Sequence, residues 1–461
     1  MKRFLTMLFT TLLLTAALCA TASASDFDAV AEDLSAIGMF RGTANGFELD
    51  RAPTRSESAI MLVRLYGAEE TAKTAYDAGE ISHPFTDVSQ FTSPYVAWLY
   101  TNGITNGTTA TTYGSAKPCS AQNYTVFLLR ALGYKDGTDF QYADALAFAQ
   151  EKGFYSPELF SGTFLRDDLA ALTYQGLAAD MADGETYLLD SLVKSGAVDA
   201  GAAKTITDKI EAYRAMNDAA LDTDAIDMDM DVKMDMTITA EGETMTMPME
   251  MTGNVKTIVD DKGIRAACDM TSSTMGMEVS QKTWLKDGWA YVSMAMGEEE
   301  MKYKYRVLDE ESVLEQIGAV DPEAMDVSAL AVIRSITAEK SGSNTVYTAV
   351  IDGKLGGMMT EAVQEALTAT GEDAAMDMEL SDITVVYTLD RSGAVKSMHM
   401  TFDMKMDLSM DIEGETFAMD AAYAIDMDLT VKATGKDVKI SFPNFSGYQE
   451  MDPGQLTQTA G

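Results

Sequence analysis

Residues 227–236 read DMDMDVKMDM, and the alternation extends beyond them. From Ile226 to Ile238 every even position is apolar (Ile226, Met228, Met230, Val232, Met234, Met236, Ile238), while the odd positions are mostly Asp, Lys or Thr. A period of two is the period of a strand, because successive side chains of a strand point to opposite faces. The stretch therefore predicts an amphipathic strand with one apolar and one wet face. AEGE (240–243) turns the chain, and Met245, Met247, Met249 and Met251 continue on a return strand. The device recurs near the end. Met398, Met400, Phe402, Met404, Met406, Leu408, Met410 and Ile412 lead to an EGE turn at 413–415, and Phe417, Met419, Ala421, Tyr423, Ile425, Met427 and Leu429 return.

Of the 33 methionines, only Met1, Met7, Met39, Met61, Met181 and Met216 precede residue 225. Between the two alternating regions lie a strand pair around Trp284 and Trp289 (TWLKDGWAYVSM), the hairpin VVYTLDRSGAVKSM, and helical patterns near 310–319, 323–336 and 360–369. These predict an α+β domain over 226–449, one long antiparallel sheet with a few helices on one face. Methionine is flexible and polarisable, so its face suits an apolar ligand cavity lined by Met228, Met230, Met234, Met236, Met404 and Met406. A ligand-free core built from methionine is the competing reading, since burial stabilises by about 1.5–3 kcal/mol per side chain whatever the function. Copper is disfavoured because no His or Cys accompanies the thioethers. Asp-x-Asp along a strand lacks a calcium loop and reads as a solvated face.

The first residues, MKRFLTMLFTTLLLTAALCATASA, carry a basic start (Lys2, Arg3), an apolar stretch and a small-x-small cleavage site at Ala22-Ser23-Ala24. They predict a signal peptide over 1–24 and a secreted chain. Beyond it stand Cys119 and Cys268, far apart, so no disulfide framework is expected. Neither His83 nor His399 has metal-ligand spacing around it, which argues against metal, cofactor and histidine-based catalysis. The net charge of −38 excludes nucleic acid and anionic membrane as partners. A length of 461 residues calls for two or more domains.

Three N-terminal stretches, 26–67, 85–134 and 142–180, share a layout of helical pattern, Gly-rich elbow and second helical pattern. Such repetition predicts small helical units that bury their faces by stacking. Thr54-Arg55-Ser56-Glu57 reads as a capping box at a helix start. Arg55 falls in the first turn, where a cation opposes the helix dipole; an anionic partner would explain it, and a solvated surface arginine is the competing reading. Residues 201–225 read as a helical connector and 450–461 as a tail.

These units resemble S-layer homology (SLH) modules. FTDV at 85–88, Trp98, GITNG at 103–107 and TRSE at 54–57 stand where that family has its F-x-D-V, Trp, G-x-x-x-G and T-R-A-E signatures. The resemblance implies an all-α, three-repeat domain over 25–200 that binds secondary cell-wall polysaccharide, often pyruvylated, in grooves between repeats. Carried over position by position, the glycan contacts would be Arg55, Glu57, Asp87, Trp98, Gly107, Asp144 and Arg166. Phe148 replaces the third tryptophan, and Cys119-Ser120-Ala121-Gln122 replaces T-R-A-E in the second unit, so its arginine, at Ser120 in that alignment, is missing. A guanidinium fork would suit a pyruvate carboxylate, and Trp98 a sugar face, with plain core packing as the competing reading of Trp98. The later domain, with WLKDGWAYV, is similar to LolA/LppX-type lipoprotein carriers, which implies a half-barrel-like sheet over an apolar cavity and a lipid or other apolar ligand.

The expectation is a secreted, non-enzymatic protein of a Gram-positive-type cell surface, anchored to wall polysaccharide and presenting an apolar-ligand-binding β domain. A purely structural envelope protein is the alternative. A surface hydrolase is the enzymatic rival, but no recognisable pair of carboxylates supports it.

Overall fold

Ala225–Ala240 forms strand β1, which carries the first alternation, and Glu243–Asp260 returns beside it as β2. The second alternation forms β11 (Val395–Ile412) and β12 (Glu415–Thr434). The computed structural model describes residues 27–160, 162–217, 225–240, 243–260, 263–307, 327–353, 374–412 and 415–451. The signal-peptide residues and the expected helices at 310–319 and 360–369 lie outside them.

The remaining strands are β3 (Gly263–Thr274), β4 (Met277–Lys286), β5 (Trp289–Met296), β6 (Glu299–Arg306), β7 (Ile333–Ser341), β8 (Asn344–Ile351), β9 (Ala374–Leu380), β10 (Ile383–Leu389) and β13 (Gln449–Glu450). They form one sheet in the order β13-β6-β5-β4-β3-β2-β1-β12-β11-β10-β8-β7, with β9 beside β10 along β11. The registers described are antiparallel except β13 on β6. β1 and β12 pair with each other, so the two methionine hairpins make the centre of the sheet. The sheet is open, with β13 and β7 at its two ends, and does not close as a barrel. Of the helical pattern at 323–336, residues 323–326 lie outside the described residues; from there on it is not an α-helix, since Val327–Ala331 is a 3₁₀ turn and Ile333 begins β7.

Register turns alternation into a face. Met236 opposes Met247 and Tyr423, and Tyr423 opposes Met404. Ile238 opposes Met245 and Ala421, and Ala421 opposes Met406. The rungs from Val232 to Ile238 are therefore apolar across β2, β1, β12 and β11, and the rungs between them carry the charged and polar side chains. Trp284 and Tyr291 lie on the polar face under Phe445, which stacks on Tyr291 at 3.7 Å.

The helical unit contains α1 (Asp28–Ala36), α2 (Arg55–Leu65), α3 (Glu69–Asp77), α4 (Ser93–Thr101), α5 (Ala121–Ala131), α6 (Ala145–Glu151), α7 (Arg166–Ala178), α8 (Leu188–Lys194) and α9 (Ala200–Asn217). α2 is buried from Ser58 through Leu65, and α7 along almost its whole length. α7 touches α1, α5 and α8, which makes it the central helix. Its Thr173 hydroxyl meets the Tyr124 hydroxyl of α5 at 2.6 Å, satisfying both in the core. Ala203, Ile206, Ile210 and Tyr213 of α9 are buried, so its apolar face packs within this unit. The 3₁₀ turn Val327–Ala331 belongs to the same compact unit and packs on α7.

Candidate functional site

The N-termini of α2, α5 and α7 meet. The Arg55 amide donates to the Lys117 carbonyl at 2.9 Å and the Cys119 amide to the Pro53 carbonyl at 2.8 Å. The Arg166 amide donates to the Arg51 carbonyl at 2.9 Å. The capping box is present: Thr54 Oγ1 accepts from the Glu57 amide at 3.2 Å, and Glu57 Oε2 accepts from the Thr54 amide at 2.8 Å. At the start of α5 it is Ser120 that caps, accepting from the Asn123 amide. Cap geometry therefore matches Ser120 to Thr54 and Ala121 to Arg55, so the residue at the arginine position is Ala121 and not Ser120. Motif letters alone had shifted the alignment by one.

The two arginines differ. Arg166 is 4% exposed; its Nη1 pairs with Glu57 Oε1 at 2.8 Å, its Nε donates to the Phe47 carbonyl at 2.8 Å, and its guanidinium lies 4.8 Å above the Phe40 ring. It is internally occupied. Glu57 also takes Arg51 at 2.6 Å. Burial works against its charge, but Arg51, the Thr54 amide and Arg166 outweigh burial and hold its carboxyl at about 2. Arg55 is half-buried, with its Nε on the Tyr113 carbonyl at 3.2 Å and its guanidinium 5.0 Å over that ring. Among the described residues it forms no ion pair.

The second unit's motif residues build one loop. Asp87 Oδ1 accepts from the Tyr113 amide at 2.7 Å, and Oδ2 from those of Gly114 at 2.7 Å and Ser115 at 3.2 Å. Desolvation is outweighed by these amides, which hold the Asp87 carboxyl below its usual range. Gly107 has φ +73°, and a Cβ there would stand 2.3 Å from Phe85 Cε1, so the position admits only glycine. Trp98 is half-buried against Tyr66 at 5.4 Å. Asp144, exposed, ends the 3₁₀ turn Tyr142–Asp144 apart from these groups.

In the β unit the predicted cavity residues divide. Met234, Met236, Met404 and Met406 are 1–6% exposed and pack with Met378, Leu408, Tyr423 and Ile425. There they are closed to solvent as one apolar cluster. Met228 and Met230 are half-buried. The open part of the same face lies elsewhere: Met245, Met277, Met296 and Met301 are 54–63% exposed. Registers place them on the face of the buried methionines, since Met277 opposes Thr274, Thr274 opposes Met249, and Met249 opposes Met234.

The polar face holds what residue spacing missed. A recess of about 480 Å³ is lined by Lys233, Asp235, Asp382, Asp403 and Asp426, among others. Beside it His399 of β11 meets Asp428 of β12 at 3.0 Å and Asp426 at 3.6 Å. The signal was in the hairpin: counting back equally from the Ile412–Glu415 pair sets His399 opposite Asp428. Cys119 and Cys268 are both free thiols, and burial pushes Cys268 up to about 11.

No curated protein matches the chain. The solved structures it resembles share low sequence identity with it. The YwiB protein from Bacillus subtilis is 8% identical, over 46% of this chain and 94% of that one, with a TM-score of 0.14. A DUF1329 family protein from Desulfovibrio piger is 11% identical over 52% and 98%, with a TM-score of 0.16. A putative outer membrane lipoprotein-sorting protein domain from Vibrio parahaemolyticus is 10% identical over 54% and 96%, with a TM-score of 0.13. The S-layer homology domain matches over residues 84–120, the stretch holding Asp87, Trp98 and Gly107. A longer match runs over 209–444, from the last turns of α9 through β12; on it, the chain belongs to the family of unknown function DUF6612.

Proposed function

We propose that this is a secreted, non-enzymatic cell-surface protein, held on secondary cell-wall polysaccharide by its helical unit and offering the methionine face of its sheet to an apolar ligand such as an acyl chain. The S-layer homology match supports wall association. Within the helical unit, three helix pairs act as three such repeats. Arg55 is the residue for an anionic sugar substituent, because its charge is not spent on a carboxylate while that of Arg166 is. Arg166 and Glu57 shape the groove rather than line it.

One observation carries the ligand reading: the row of methionines that is core at β1, β11 and β12 stays open at Met245, Met277, Met296 and Met301. Flexible thioethers can follow varied apolar shapes, and contiguous exposed apolar surface marks a binding region. The test uses the full secreted chain with two readouts. Arg55→Ala should weaken binding to walls that carry secondary polysaccharide, and walls stripped of it should bind neither protein. A fluorescent fatty acid should bind saturably to the wild type and not to Met277→Asp/Met301→Asp, which alters only exposed positions and should stay folded. A folded wild type that takes up no fatty acid leaves only the structural envelope reading. Equal binding to stripped walls removes the polysaccharide.

A further inference from the structure

On the opposite face of the sheet, we propose that His399, Asp426 and Asp428 form a binding site for a divalent transition-metal ion of the Zn²⁺ class. The three residues offer one imidazole nitrogen and two carboxylate oxygens, all within 4.8 Å of one another. His399 Nδ1 stands 3.0 Å from Asp428 Oδ1 and 3.6 Å from Asp426 Oδ1. Two donors bound to one tetrahedral ion at zinc distances are about 3.4 Å apart, so these separations bracket what a shared ion requires. Backbone pairing enforces the arrangement. His399 and Asp428 are direct cross-strand partners, and Asp426 lies two residues from Asp428, on the same side of β12.

The surrounding charges point the same way. Neighbouring carboxylates on this face are already answered: Asp227 by Lys256 at 2.8 Å and by Asn254, and Asp229 by Lys432 at 3.1 Å and by Asn254. Among the described residues, Asp426 and Asp428 have only His399 as an ion-pair partner. Across β1, Asp428 faces Asp231, a like-charge pair that destabilises a sheet, while Asp426 faces Lys233, which forms no ion pair with it. A divalent cation at the imidazole would relieve this excess. The mixed nitrogen and oxygen donors suit Zn²⁺ and its first-row neighbours better than Ca²⁺, which prefers six or more oxygens. Asp426 also lines the 480 Å³ recess, which leaves room at the ion for a further ligand from solution.

Equilibrium dialysis of the full chain against Zn²⁺ and, separately, Ca²⁺ tests the site, with Co²⁺ absorption as a coordination readout. The wild type should bind one Zn²⁺ that His399→Ala and Asp426→Asn/Asp428→Asn each weaken roughly tenfold or more. Co²⁺ should give visible bands that both variants lose, while Asp407→Asn, on the same face, changes neither. Circular dichroism confirms that the variants are folded. The proposal is overturned if His399→Ala retains the Zn²⁺, if the wild type binds none, or if Ca²⁺ binds there as tightly, which would mean diffuse attraction to an acidic face.

Discussion

Met275 sits in a left-handed conformation, φ +52°, next to Gly276 at φ +78°, in the turn joining β3 and β4. Two consecutive positive φ values are what a two-residue hairpin turn needs, and Asn-Gly or Asp-Gly normally supplies them; Asp287-Gly288 does so one hairpin later. A long unbranched side chain gains nothing locally from that conformation, and a non-glycine residue there carries about 1–3 kcal/mol of backbone strain. Met275 is also 63% exposed, so packing does not offset the strain. Met275→Asn should therefore raise stability by about 1 kcal/mol, read as a higher midpoint in urea with an unchanged slope. An unchanged midpoint would mean the turn is not held in this geometry.

At the scale of elements, helix caps set an acid response. Glu57, closing the cap of α2, titrates at about 2 in the folded protein against 4.5 for the free side chain. Its contribution is complete above about 4.5 and is lost as pH falls towards 2. Asp168 accepts from the Leu165 amide at 2.7 Å at the start of α7, yet burial outweighs that bond and raises its carboxyl from 3.8 to about 6. The folded state then holds a proton that the unfolded chain has released, so stability falls as pH rises from about 4 to 6. Between them the two groups predict a helical unit most stable near pH 4–5, and Asp168→Asn should flatten the decline above that range. Thermal melts from pH 3 to 8 check this; a monotonic rise to neutrality contradicts it. Such caps were legible in the sequence at Thr54-Arg55-Ser56-Glu57 because the motif is local and its chemistry is contained in four residues. The strands were legible because each residue in DMDMDVKMDM declares its own face. The one-residue offset at Ser120 was not, because a cap is defined by backbone conformation and not by the letters around it. The split between core methionines and open ones was hidden too, since burial depends on which strands stand alongside, and the alternation is the same in both.

At the scale of the whole chain, sequence order and packing part company. The 3₁₀ turn Val327–Ala331 lies between β6 and β7 in sequence, yet packs on α7 and counts with the helical unit. Leu330 is fully buried there and Ala331 nearly so. A pattern reader assigns this stretch to the sheet region, because nothing local marks a segment whose apolar side chains are covered by residues more than a hundred positions earlier. The consequence is physical: α7 receives part of its apolar cover from a later segment, so the N-terminal half alone lacks a piece of its core. Leu330→Ala should remove about 2–5 kcal/mol, the cost of a buried leucine and the cavity it leaves. The loss should fall on the helical unit and not on the sheet. Hydrogen exchange separates the two: amides of α7 should lose protection in the variant, while those of β1, β11 and β12 keep theirs. Equal loss in both would show that the two units unfold as one, and protection of α7 unchanged by the substitution would show that the turn does not support the helix.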